Sequence, residues 1–167
     1  MKVALQTVLD HQAVQHKIRR IAYQIYESNL DERQIVLAGI ADNGYKFAER
    51  LKTVLEAIAG LDVLLVKVTM NKKEPLGTVK TSVDASEYTG KSVVLIDDVL
   101  NSGTTLIYGV KHFLDVPLKQ FKTAVLIDRN HKKYPVKADF KGVSLSTSLN
   151  ESVKVVFRKG ADKAILE

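Results

Sequence analysis

Val93-Val94-Leu95-Ile96-Asp97-Asp98-Val99-Leu100-Asn101-Ser102-Gly103-Thr104-Thr105 begins as an apolar run, breaks into two adjacent carboxylates and ends in a small, hydroxyl-rich turn. Four β-favouring residues in succession predict a strand buried on both faces. Paired Asp side chains suit a cation or sugar hydroxyls, whereas Ser-Gly-Thr-Thr suits an anion. One ligand must therefore offer both chemistries.

Outward from this motif the hydrophobic period switches repeatedly. Val14, Ile18, Ile21 and Ile25 recur at helical spacing over 10–29, with Asp10 placed to cap. Residues 35–40 (IVLAGI) predict a strand, and Phe47, Leu51, Val54 and Ile58 a second helix stopped by Gly60. A strand over 62–70 follows. The polar stretch 71–90, with one Pro and two Gly, predicts a mobile excursion or weak hairpin. After the motif's own strand come a helix over about 104–115 and a strand over 123–127. Strand and helix alternate with short connections, which implies an α/β fold with a doubly wound, mostly parallel sheet. Beyond Asn130, short strand-like pieces (VSLST, VKVVF) among basic turns predict a small cap formed by the C-terminal tail.

The length of 167 residues, 46% of them hydrophobic, suits one domain over 1–167, with a core at about 10–128 and a cap at about 129–167. With no cysteine, disulfides and thiolate metal sites are excluded. His11, His16, His112 and His131 show no zinc-site spacing. The N-terminal stretch has no leader-like apolar core and no segment approaches the roughly 18 apolar residues of a membrane span, so a cytoplasmic protein is expected. The net charge of +6 favours phosphorylated or polyanionic partners.

In open parallel sheets the ligand crevice lies at the carboxyl ends of the strands, where Asp97 and Asp98 must sit. The turn Asn101 to Thr105 runs straight into a helix, so its amides and hydroxyls face the same crevice. Gly103 lets the backbone take a positive φ or come close to an anion. A phosphorylated ribose fits both halves. Gly39-Ile40-Ala41-Asp42-Asn43-Gly44-Tyr45-Lys46 has Walker-like glycines, but Tyr45 stands where Lys is needed, and no G-x-G-x-x-G occurs.

The motif resembles the phosphoribosyl-pyrophosphate signature of type I phosphoribosyltransferases. Residues 124–140 (AVLIDRNHKKYPVKADF), Gly142 and Ser146-Thr147-Ser148 resemble the tail of the pyrimidine-operon attenuators that double as uracil phosphoribosyltransferases. Leu9-Asp10-His11-Gln12-Ala13 and Arg20-Ile21-Ala22 are similar to their start.

That resemblance implies transfer of a 5-phosphoribosyl group from phosphoribosyl pyrophosphate to uracil or a related base, with Mg2+ as cofactor and pyrophosphate released. It places the protein in pyrimidine metabolism and nucleotide salvage. Asp97 and Asp98 would act at the ribose hydroxyls and the metal, directly or through water. Asn101, Ser102, Gly103, Thr104 and Thr105 would hold the 5′-phosphate. Ala41, Asp42, Asn43 and Gly44 would form the pyrophosphate loop, joined by Lys72. Asp128 and Arg129 would border the base pocket, and Arg19, Arg20, His131 and Lys132 would form an RNA face. A homodimer or dimer of dimers is the family precedent.

Departures are visible too. Asp42-Asn43 stand where the attenuators carry Thr-Arg, Lys72 where they carry an arginine, and Tyr23 and Ser28 where His and Arg are usual. Three readings stay open: a uracil-type transferase, an RNA-binding attenuator or nucleotide sensor with little turnover, and a purine-base transferase.

Overall fold

The apolar run of the motif lies in the middle of a six-stranded sheet in the computed structural model, which describes residues 5–148 and 150–167. The expected domain span 1–167 thus includes residues 1–4 and 149, which lie outside the described residues.

In chain order the elements are β1 (Gln6–Leu9), α1 (His11–Glu27), β2 (Gln34–Ile40), α2 (Asn43–Ala59), β3 (Asp62–Thr69), β4 (Lys80–Thr81), β5 (Ser92–Leu100), α3 (Thr104–Phe113), β6 (Gln120–Asp128), β7 (Phe140–Ser144), β8 (Val153–Val156) and β9 (Lys163–Leu166). The main sheet runs β4-β3-β2-β5-β6-β7, parallel throughout except at β4. Both faces are covered, which is why residues 35–40 of β2 and 93–96 of β5 read as unbroken apolar runs. Ile35, Leu37, Val94 and Ile96 pack under α1 and α2, while Val36, Ala38, Val93 and Leu95 pack on the opposite side with Leu106 and Phe113 of α3.

Local chemistry sets the helix ends. Asp10 Oδ1 accepts the Ala13 amide at 2.8 Å and starts α1, whose Val14, Ile18, Ile21 and Ile25 are buried. Gly60, in the left-handed region at φ 59°, ends α2. In the 71–90 excursion, β4 pairs antiparallel with β3, so the hairpin alternative holds over two residues.

The cap takes a different composition from the expected 129–167. Strand β7 belongs to the main sheet, beside β6. The small antiparallel sheet is ordered β1-β9-β8, with Gln6 opposite Leu166, and so borrows its third strand from the N-terminal region. Among the described residues, no helix is long and apolar enough to cross a membrane.

Candidate active site

The acid pair lies within β5, which runs on past the expected apolar stretch to Val99 and Leu100, both paired with β6. Asp97 is only 4% exposed; its Oδ1 accepts the Asp98 amide at 2.9 Å and stands 3.6 Å from Lys72 Nζ. Burial, and next the neighbouring Asp98 carboxylate, push the Asp97 carboxyl well above its ordinary range, against the pull of the Lys72 ammonium. Asp98 Oδ2 accepts Asn43 Nδ2 at 3.2 Å. A cleft of about 170 Å³ opens over the pair, lined by Lys72, residues 97–106, Val125 and Val153. It therefore gathers the acids, the hydroxyl-rich turn and one basic side chain, as the motif implied.

The turn is tightly organised. Ser102 Oγ and Thr104 Oγ1 lie 2.8 Å apart, and the Ser102 carbonyl accepts the amides of Lys133 and Tyr134. The bond from Ile107 N to Gly103 O, at 2.9 Å, is the first of α3, so the amides of Thr105 and Leu106 open the helix without an intrahelical acceptor. Gly103 has φ 87°, as expected. Its missing side chain makes room for protein rather than for an anion: a Cβ there would lie 2.7 Å from Val136 Cγ1. Asn101 lines the cleft, and its Oδ1 accepts Arg129 Nη1 at 2.9 Å.

The loop before α2 divides its two departures from the attenuator pattern. The Ala41–Asp42 peptide is cis, and Asp42 is exposed at the start of α2 without a side-chain capping bond. Asn43 turns inward, its amide donating to Asp98 and to the Val155 carbonyl. Gly44 is required by contact: a Cβ there would lie 2.7 Å from the Ile96 carbonyl and 3.1 Å from Asp97 Oδ1. Helix α2 thus begins directly against the acid pair.

Asp128 and Arg129 do not line this cleft. Asp128, 2% exposed, accepts the Asn130 amide and lies within 4 Å of the ammonium groups of Lys132 and Lys141. Arg129, 7% exposed, donates to Asn101, Thr147 and the carbonyls of Ser148 and Glu151. Its guanidinium fastens the segment before β8 to the turn at Asn101.

The four residues of the expected RNA face all have intramolecular partners. Arg19 stacks over Tyr23, 5.3 Å from the ring centroid, and donates to its hydroxyl. Arg20 donates to Gln24 and to the carbonyls of Lys141 and Gly142, clasping α1 to β7. His131 Nε2 meets the Thr147 carbonyl at 2.7 Å, and Lys132 faces Asp128. Sequence reasoning missed Val153 of β8 as a lining residue of the cleft; the alternation in VKVVF was the available signal.

A family profile described as phosphoribosyl transferase domain matches residues 4–158. The chain is 35% identical over 163 residues to "Bifunctional protein PyrR" of Clostridium botulinum (strain Alaska E43 / Type E3), covering 92% of this chain and 89% of that protein. It is 34% identical over 160 residues to the protein of the same name from Bacillus subtilis (strain 168), covering 89% and 87%. Among solved structures, a hypoxanthine-guanine phosphoribosyltransferase from Bacillus anthracis superposes with a TM-score of 0.74 at 24% identity, over 90% of this chain and 87% of that one. The hypoxanthine phosphoribosyltransferase of Trypanosoma cruzi gives 0.72 at 17% identity, over 84% and 81%. These two likenesses speak to fold. The acid pair and the hydroxyl-rich turn agree with the relatives, and the chain belongs to the type I phosphoribosyltransferase family, as a relative of the PyrR proteins.

Proposed function

We propose that the protein is bifunctional: it transfers a phosphoribosyl group from phosphoribosyl pyrophosphate to uracil or a related pyrimidine, and it binds a structured pyrimidine-operon leader RNA. The observation that carries the first half is the acid pair and the phosphate turn facing one cleft. The relationship to proteins named bifunctional PyrR supports the regulatory half better than it supports a stand-alone salvage enzyme.

In this reading the amides opening α3 and the hydroxyls of Ser102, Thr104 and Thr105 bind the 5′-phosphate. The two carboxylates accept hydrogen bonds from the ribose diol and lie where positive charge develops at the anomeric carbon. Lys72 turns from Asp97 to the departing pyrophosphate. No nucleophile from the protein is needed, because positioning and electrostatics do the work.

Among the described residues no cluster of three metal-ligating side chains occurs. A magnesium ion that keeps waters and substrate oxygens needs only one or two carboxylates, so Asp97 and Asp98 fit it. When bound, magnesium supplies charge neutralisation to the pyrophosphate group.

The test is a panel of nucleobases assayed with phosphoribosyl pyrophosphate for pyrophosphate release, alongside leader-RNA binding at physiological salt. Release with uracil, with hypoxanthine and guanine inert, is expected. Release with hypoxanthine alone would establish the purine reading. Submicromolar RNA binding without release from any base would leave an attenuator that has lost turnover.

A further inference from the structure

We propose that Asn43 is a positioning residue that couples the small sheet to the acid pair, so that occupation of the cleft and closure of its β8 wall are linked through one side-chain amide. The inference rests on the reading of the cleft as a phosphoribosyl pyrophosphate site, and adds to it a role for a side chain that departs from the attenuator pattern.

Asn43 opens α2 between two acceptors. Its Nδ2 donates to Asp98 Oδ2 at 3.2 Å and to the Val155 carbonyl at 2.8 Å. The Val155 carbonyl can only accept, so the amide presents its nitrogen to it, and with the bond to Asp98 both of its hydrogens are used. Asp98 belongs to β5 in the main sheet and Val155 to β8 in the small one. Val153, two residues before Val155, lines the cleft.

Further along α2 the small sheet is attached independently of the site. The rings of Phe47 and Phe157 stack with centroids 6.0 Å apart, and Arg50 pairs with Asp162 at 3.1 Å. Those attachments keep the small sheet on α2 whatever happens at Asp98. Asn43 is an attachment that also touches the acid pair. A ligand that fixes Asp98 therefore also fixes Asn43, and through it the carbonyl of β8.

The test is amide hydrogen exchange at β8 and β9 in Asn43→Ala, Asp98→Ala and the double variant, all without ligand, with circular dichroism as the check of folding. Asn43→Ala is expected to speed exchange roughly fivefold, as loss of a hydrogen bond does. Asp98→Ala, which removes no bond made by β8 itself, is expected to speed it by a smaller factor, and the double variant to match Asn43→Ala alone. Additive effects, or no effect of Asp98→Ala, would overturn the coupling. Asn43→Asp keeps the shape without the donors and should behave as Asn43→Ala; wild-type exchange in that variant would overturn it too.

Phosphoribosyl pyrophosphate with magnesium is expected to slow β8 exchange in the wild type and to slow it less in Asn43→Ala, where Arg129 still joins the Asn101 turn to the segment before β8; equal slowing in the two would overturn the coupling. Binding by calorimetry without slowing in the wild type would refute the coupling alone. A wild type that binds none, with the ligand-free cycle non-additive, would refute the transferase reading and leave the coupling standing.

Discussion

Lys72 Nζ stands 3.6 Å from Asp97 Oδ1, so a half-exposed ammonium on an excursion is the counter-charge to an acid buried within the central strand. The acid's burial does not depend on that partner. It is set by β5 being covered on both faces, and by Gly44 bringing α2 against the strand end. Desolvation is thus the larger influence on Asp97, with Lys72 only partly offsetting it.

Replacing Asp97 should separate stability from binding. Because its carboxyl is raised in the folded protein, the folded state holds the proton longer than the unfolded one, and stability is lost as pH rises from about 3.9 through the elevated folded value. Asp97→Asn removes that loss. It should melt higher than wild type at pH 7 in chelator, with the gap closing toward pH 4 by calorimetry. The Asp97→Asn, Asp98→Asn double variant should keep this fold and lose magnesium-dependent binding of phosphoribosyl pyrophosphate; undiminished binding would exclude the acids as its site.

Asp162 has the opposite sign. Burial pushes its carboxyl up, but hydrogen bonds from Arg50 and Gln15 together outweigh burial and hold it below the ordinary range. Its contribution is present above about pH 4 and is lost as pH falls through the depressed value. Arg50→Ala should therefore lower the melting temperature at pH 7 and match wild type in strong acid. A deficit that persists at pH 2 would mean that the lost stacking on Phe157 dominates.

At the hydroxyl-rich turn, Gly103→Val tests folding before it tests binding. The φ of 87° and the Val136 methyl together should cost about 2–4 kcal/mol in urea unfolding. Thr105→Val is the cleaner probe, since it deletes a hydroxyl and keeps the shape. It should weaken a nucleoside 5′-monophosphate roughly tenfold with little change in stability. Equal affinity in this variant would make the hydroxyl a bystander.

For RNA, the intramolecular partners sort the basic residues. Arg20→Ala should destabilise the protein by about 1–3 kcal/mol, because two β7 carbonyls lose their donor. Arg19→Ala leaves the α1 to β7 clasp intact. If Arg19 and Lys133 contact phosphates, each alanine substitution should reduce the salt slope of leader-RNA binding by about 0.7–0.9 while transferase turnover is kept. Unchanged slopes in both would remove this face from the RNA site.

Where short-range chemistry decides structure, the chain is legible. Asp10 caps α1, Gly60 ends α2, and the Asp97-Asp98 and Asn101 to Thr105 groups meet in one cleft as their order along β5 and α3 requires. Partners distant in sequence are not legible. β1 is four residues of mostly exposed pattern, and nothing within it announces β9 as its neighbour. Arg129 follows an acid at a strand end and reads as a pocket residue, but Thr147 and the Ser148 and Glu151 carbonyls, supplied from beyond β7, draw its guanidinium inward. Gly103 has the expected backbone for a different neighbour, because Val136 arrives through tertiary packing.

The pairing of β1 with β9 sets an order of assembly. On the ribosome, a nascent chain that has emerged through β7 can already pair every strand of the main sheet, with the acids and the turn in place. The wall carrying Val153 and Val155 must wait for β9, which joins β8 to β1 across nearly the full described length. With the main sheet already formed, that late closure orders only the segment after β7. During synthesis the cleft is therefore an open ledge before it is an enclosed site, and β8 and β9 should be the last segments to gain protection in a pulse-labelled refolding experiment.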